Sequence, residues 1–238
     1  LNIFKIKYVS IPGKKFFLKK NTPIFYSLTT MRIVGLTGGE ASGKSLVLQH
    51  FMNLGAYGID CDLLSREVVI PCSKAWWEIV RVFGNDILQN DLAIDRKKLR
   101  AIVFSDHTQR AALERIIHPE VRRACAERIE AIKKIDTKPN ALVVVDVPLL
   151  IETGMQNDFD TVIVVYVSEE TQIKRLMARD GLTEAAARNL IGLQMPLREK
   201  LQFADYVISN EGTREETKQQ VRALFATNLS LISPRKGP

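Results

Sequence analysis

No apolar run in the 238-residue chain approaches the roughly 20 residues that a helix needs to cross a bilayer, which argues against a helical membrane protein. Cysteine is scarce: Cys61, Cys72 and Cys125 are odd in number and lack metal-like spacing. That speaks against a disulfide framework or a zinc site and for a reducing cytoplasm. Internal repeats and low-complexity stretches are missing as well. Acidic residues are absent from the first 30 positions, which hold Lys5, Lys7, Lys14, Lys15, Lys19 and Lys20. These six lysines account for all but one of the seven net positive charges, so the remainder is nearly neutral. A neutral body lacks the electrostatic footprint of a nucleic-acid-binding domain. The lysines also interrupt any continuous apolar stretch of a secretory signal, and a transit peptide would favour arginine. Residues 1–30 are therefore expected to be a disordered or non-native basic leader. Met31, immediately ahead of the first strand, is the candidate start, and a short tail is expected at 229–238.

What is present fits one α/β domain with insertions. Ile33 to Leu36 reads as a buried strand, Lys44 to Leu54 as a helix ended by Gly55, and Ala56 to Asp60 as a second strand. Helices are expected from Leu63, over Ala75 to Phe83, over Arg96 to Phe104, and over Gln109 to Ile135 with a break at Pro119. Ala141 to Val147 and Thr161 to Val167 are continuous β-branched runs, as in strands buried on both faces of a parallel sheet. Helices over Glu169 to Arg179 and Thr183 to Gln194, a strand at Tyr206 to Ser209 and a helix from Arg214 to Ala226 complete the pattern. The order implies a three-layer α/β fold around a mostly parallel five-stranded sheet.

One stretch carries chemistry. Between the first strand and its helix runs GLTGGEASGKS, containing Gly38-x-x-x-x-Gly43-Lys44-Ser45, the phosphate-binding loop pattern. Glycines let successive backbone N–H groups converge on an anion, and the helix N-terminus adds its positive end. Gly38, Gly39, Ala41, Ser42, Gly43 and Leu46 form the cradle. Lys44 reaches the β- and γ-phosphates of ATP, and the Ser45 hydroxyl is placed to ligate Mg2+. A tight turn or a dinucleotide loop would suit the spacing and the lysine less well. Gly58-Ile59-Asp60-Cys61-Asp62 puts two carboxylates at the end of the second strand, where ligands of open α/β sheets bind. One could serve the metal and the other accept a proton; an exposed turn with two solvated acids would look the same. Arg175 and Arg179 share one helix face and could close over phosphates or simply be solvated.

Read together, GLTGGEASGKS, GIDCDLLSREVV, FGNDIL, IDRKKLRAIVFSD, LERIIHPEV, VVVDVPLLIETG, TQIKRLMARDGLT and ADYVISNEG resemble, in content and order, the dephospho-CoA kinase family over Met31 to Phe225. The resemblance implies a P-loop nucleotide-kinase fold over 31–228, with a helical acceptor-binding insertion at about 63–136 and a lid at about 170–196. It implies transfer of the γ-phosphoryl of ATP to the ribose 3′-hydroxyl of dephospho-CoA. On that reading Asp62 is the base, and Lys44 and Arg175 are catalytic. Arg66, His118 and Pro119 bind the acceptor, Arg179 binds ATP from the lid, and Asn210 and Gly212 lie against its adenine. A lone His118 would otherwise be structural, and Asn210 or Thr213 could simply cap a helix. A cytoplasmic monomer is expected, with neither nucleic acid nor membrane as partner.

Four positions depart from the family's usual pattern. Glu40 and Ala41 stand where an apolar residue and glycine are common, Leu46 replaces threonine, and Cys61 replaces alanine. Glu40 brings negative charge to a phosphate site, and Ala41 must avoid backbone open only to glycine. Asp146, at a strand end, could be a second Mg2+ carboxylate or a sheet-end residue with a structural hydrogen bond, and is left out of the metal ligands. The rivals are another small-molecule kinase on the same fold, which only the acceptor stretches distinguish, and a nucleotide-dependent switch anchored to nucleic acid by the leader. The latter lacks a guanine-reading N-K-x-D stretch.

Overall fold

A computed structural model describes residues 6–11, 14–19, 31–136 and 141–227. In chain order the strands are β1 (Ile6–Ile11), β2 (Lys14–Lys19), β3 (Arg32–Gly38), β4 (Tyr57–Asp60), β5 (Leu142–Asp146), β6 (Thr161–Tyr166) and β7 (Tyr206–Ser209). The α-helices are α1 (Lys44–Asn53), α2 (Cys61–Glu67), α3 (Lys74–Phe83), α4 (Arg96–Ser105), α5 (His107–Ile135), α6 (Glu169–Asp180), α7 (Glu184–Ile191), α8 (Leu197–Lys200) and α9 (Arg214–Ala226). The chain divides into two compact units, one of residues 1–59 with 136–238 and one of residues 60–135.

The first unit holds the sheet, ordered β1-β2-β7-β6-β3-β5-β4. β3 pairs in parallel with β5 (Leu36 opposite Asp146) and with β6 (Gly38 opposite Val165), and β6 pairs in parallel with β7. All five residues of β5 and the first five of β6 are buried, as continuous β-branched runs require when helices cover both faces. One layer packs Val34, Leu36, Val144, Ile163, Val165 and Ile208 against Val47, Leu48 and Phe51 of α1 and Val221 of α9. On the opposite face of β3, Gly35 leaves room for Leu150 and Phe159, whose side chains an added Cβ would strike. β3 thus lies between β5 and β6, so the chain leaving its carboxyl end enters the crevice where open α/β sheets bind ligands.

The leader, expected to be disordered or non-native, contains two strands. β1 and β2 form an antiparallel hairpin, with Ile11 opposite Lys14, and β2 joins the β7 edge by pairing Leu18 with Tyr206. The five parallel strands therefore carry two antiparallel ones at an edge. IKYVSI and KKFFLK are rich in β-branched and aromatic residues, and that preference is compatible with their lysines. The remaining leader positions and the 229–238 tail lie outside the described residues.

The second unit is helical. Val69, Ala75, Trp76, Ile79, Ile87, Ile94 and Leu99 form its core. α5 runs unbroken through Pro119, contrary to the expected interruption. An internal proline costs a helix about 3 kcal/mol. Here packing holds the helix on both sides: Leu113, Ile116 and Ile117 lie against the core upstream, and downstream Glu120 is gripped by Lys74 at 2.7 Å and Arg123 at 3.0 Å.

Candidate active site

The loop after β3 is shaped from outside, through its carbonyls. Gln172 Nε2 of α6 donates to Glu40 O at 2.6 Å, Arg175 Nη1 to Ala41 O at 3.2 Å, and Asn210 Nδ2, between β7 and α9, to Ser42 O at 2.8 Å. With these three successive carbonyls satisfied by side chains, the loop is fixed in a conformation that leaves first-turn N–H groups of α1 for an anion. Gly43, at φ 91, is the N-cap of α1, and a Cβ there would collide with the Asn210 amide. A Cβ on Gly38 would lie 2.6 Å from Ser42 Oγ, and one on Gly39 would lie 2.5 Å from Gln172 Nε2. Lys44 Nζ folds back onto Gly39 O at 3.2 Å, and Ser45, next along α1, is exposed. Leu46 is half-buried on the same helix.

Ala41 does not avoid positive φ; it sits at φ 54, in the left-handed region that favours glycine. Its methyl packs against the Ile173, Leu176 and Ala187 cluster, which offsets the conformational cost. Glu40 is neither buried nor fully solvated: Gln194 Nε2 donates to its Oε1 at 3.3 Å, and Arg179 lies 4.0 Å from its Oε2.

The two arginines of α6 do different things. Arg175 is bound to loop and neighbouring carbonyls, including Asn210 O at 2.7 Å, so it braces the cradle and does not reach out as a lid arm. Arg179, with a side chain 58% exposed, forks onto Asp180 at 2.7–2.8 Å. Asn210 also braces the loop. It is 4% exposed, and while its Nδ2 holds Ser42 O, its Oδ1 accepts from Thr217 Oγ1 at 2.7 Å. Both ends of the amide are committed to protein, so the side chain holds the loop. Thr213 caps α9 with a reciprocal Glu216 contact, and a Cβ on Gly212 would meet the carboxylate end of that glutamate. Neighbouring Glu211 accepts from Ser168 N at 2.8 Å, Ser168 Oγ at 2.8 Å and Thr171 Oγ1 at 2.5 Å, tying this loop to the start of α6.

In the helical unit, Asp60 caps α2, its Oδ1 accepting from Asp62 N at 2.8 Å and Leu63 N at 3.1 Å. Asp62 is therefore an exposed first-turn residue of a helix, one position past a buried Cys61. The pair does not continue the strand's alternation. Arg66 is exposed one turn on from Asp62, and His118 and exposed Pro119 lie on α5. Sequence reasoning missed Arg96, at the first position of α4. Burial and then the nearby Arg66 charge lower its proton affinity, which marks two cations facing one region. The IDRKKL stretch held that signal only as a repeated positive charge. Among the described residues no group of three His, Cys, Asp or Glu side chains could hold a metal, and no helix is long and apolar enough to cross a membrane.

A family model described as dephospho-CoA kinase matches residues 32–216. A curated relative named dephospho-CoA kinase from Geobacillus kaustophilus is 48% identical over 192 residues, covering 81% of this chain and 94% of its own. One of the same name from Oryza sativa subsp. japonica is 45% identical over 195 residues, covering 82% and 84%. Among solved structures, TT1252 from Thermus thermophilus aligns with TM-score 0.70 at 31% identity over 82% of this chain and 97% of its own. Dephospho-CoA kinase from Campylobacter jejuni aligns with TM-score 0.63 at 27% identity, covering 83% and 97%.

Proposed function

This chain belongs to the dephospho-CoA kinase family, and we propose that it transfers the γ-phosphoryl of ATP to the ribose 3′-hydroxyl of dephospho-CoA, giving coenzyme A and ADP, the last step of coenzyme A biosynthesis. The observation that supports its catalytic assignment is the Gly38–Ser45 loop, pinned by its carbonyls at the carboxyl end of the central strand. In that loop the backbone N–H groups and Lys44 hold the β- and γ-phosphates, positioning them and offsetting charge as the phosphoryl group moves. Ser45 suits a Mg2+ that arrives with the nucleotide, because that ion is held by one or two protein ligands plus phosphate oxygens and water. When bound, the ion neutralises charge on the phosphates.

Asp62 accepts the proton of the attacking hydroxyl. An ordinary carboxylate suffices, since a loose transition state demands proton removal only late. Arg66 and Arg96 supply positive charge for the acceptor's diphosphate, and His118 and Pro119 complete the acceptor-binding surface. The unit of residues 60–135 is the acceptor-binding part, and Arg179 is the lid residue that meets ATP. Cys61, Cys72 and Cys125 are not joined in disulfides, which suits a reducing cytoplasm.

The test is a coupled ADP-release assay with ATP, Mg2+ and dephospho-CoA, run beside a panel of nucleoside acceptors and an Asp62→Asn variant. Turnover specific to dephospho-CoA that drops by about 10²-fold or more in the variant is expected. Turnover on another acceptor alone overturns the substrate assignment.

A further inference from the structure

Lys200 is 0% exposed. Lysine is almost never fully buried unless paired, and two contacts fix this ammonium. Nζ lies 2.8 Å from Glu152 Oε1 and donates to Pro148 O at 3.1 Å. Each partner serves a second group: Pro148 O accepts from Thr37 Oγ1 at 3.2 Å, and Glu152 Oε1 accepts from Met195 N at 3.1 Å. Thr37 is the residue before Gly38. One buried cation therefore joins the end of β3, the turn following β5 and the segment between α7 and α8. The charged groups around it are Glu152, Lys44 and Glu40. Burial lowers its proton affinity most, Glu152 opposes that, Lys44 adds to it, and Glu40 opposes it.

An apolar side chain would fill this space at lower electrostatic cost, since a buried ion pair is commonly no better than packed hydrocarbon. Placing a cation here makes physical sense if its charge and fork of contacts serve the neighbouring anion site. We propose that Lys200 is a positioning residue for phosphoryl transfer, clamping the wall beside Thr37-Gly38 through Pro148 O and Glu152. This rests on reading the Gly38–Ser45 loop as the ATP site.

The test uses the full chain and two variants, Lys200→Met and Lys200→Met/Glu152→Gln. In the second, the amide still accepts from Met195 N and no carboxylate is left without its cation. For each, Tm, kcat and the two KM values are measured, and ATP affinity is measured separately by calorimetry. The double variant is expected to retain a Tm near that of the parent while kcat/KM for ATP falls about 10- to 100-fold, with KM for dephospho-CoA within about twofold. A double variant with parental kcat and KM for ATP overturns the proposal and leaves Lys200 as a core-filling residue. Should the double variant not fold, Glu152→Gln alone decides. Without the carboxylate the ammonium deprotonates more readily, so the alkaline fall of kcat/KM for ATP moves to lower pH; an unmoved limb overturns the proposal. Calorimetry separates this from the substrate assignment: weakened ATP binding in the double variant supports Lys200 even if the parent leaves dephospho-CoA unmodified, and parental ATP affinity counts against it.

Discussion

Asn210→Ala separates bracing of the loop from contact with the base. The amide is 4% exposed and makes two internal hydrogen bonds, to Ser42 O at 2.8 Å and from Thr217 Oγ1 at 2.7 Å. Removing it strands one buried acceptor, worth about 1–3 kcal/mol. Thr217 suffers less, because its hydroxyl also reaches Thr213 O at 3.3 Å. Ser42 O retains only the long Arg175 contact at 3.5 Å. The expected loss is therefore about 2–3 kcal/mol in urea unfolding, or roughly 4–12 °C in Tm for a chain of this size. Because the Ser42 peptide lies within the phosphate cradle, KM for ATP and for GTP should rise by similar factors. Asn210→Asp should be worse, since a carboxylate oxygen would then face the Ser42 carbonyl. A variant of unchanged stability whose preference for ATP over GTP collapses would refute the reasoning and restore Asn210 to the adenine.

Glu40→Gln should lower KM for ATP about two- to fivefold with kcat little changed, because it removes a negative charge beside the phosphates and the 4.0 Å contact to Arg179; an unchanged or higher KM in steady-state assays contradicts this. Ala41→Gly relieves a left-handed φ but loses a packed methyl and gains unfolded-chain entropy, so urea denaturation should show a net change within about 1 kcal/mol. Glu120 gives an acid signature. Its hydrogen bond from Lys74, then that from Arg123, holds its carboxyl below the ordinary glutamate range, against burial. The group therefore adds stability that is complete above the unfolded-state value and lost as pH falls through the folded one. The stability gap between parent and Glu120→Gln should be widest at pH 7 and narrow below about pH 4; a gap that is constant with pH contradicts it.

Features set by local sequence were legible. The β-branched runs of β5 and β6 predicted strands buried on both faces, and Thr213, one of two cap candidates, is the cap of α9. The glycine spacing before Lys44 located the cradle because only backbone freedom makes such a loop. What stayed hidden depends on partners far along the chain. Asn210 and Ser42 are 168 residues apart, and Arg175 and Ala41 are 134 apart, so no periodicity reveals that they share carbonyls. Pro119 was misread for the converse reason: a local rule was outweighed by packing from α3 and α4. Lys200 carried no signal, since a lysine in LREK reads as solvated until the fold encloses it. Asp62 stood out through the family resemblance; spacing alone could not separate it from Asp60, which proves to be a cap.

The bracing of the loop also bounds where a lid can begin. Gln172 and Arg175 grip loop carbonyls, Ile173 and Leu176 are buried, and Ser168 is fastened to Glu211. A hinge that carried the start of α6 outward would break these contacts and deform the phosphate cradle at the same moment. On the proposed reading, closure over a nucleotide that preserves the cradle would leave the first turns of α6 in place. Arg179 lies beyond them, exposed and paired with Asp180, with Glu40 at 4.0 Å. On the proposed reading the expected lid of 170–196 divides: its first turns hold the loop carbonyls, and its later turns carry Arg179, which would exchange a carboxylate for a phosphate. That division also explains why Arg175 and Arg179, one turn apart on one helix, have such different surroundings.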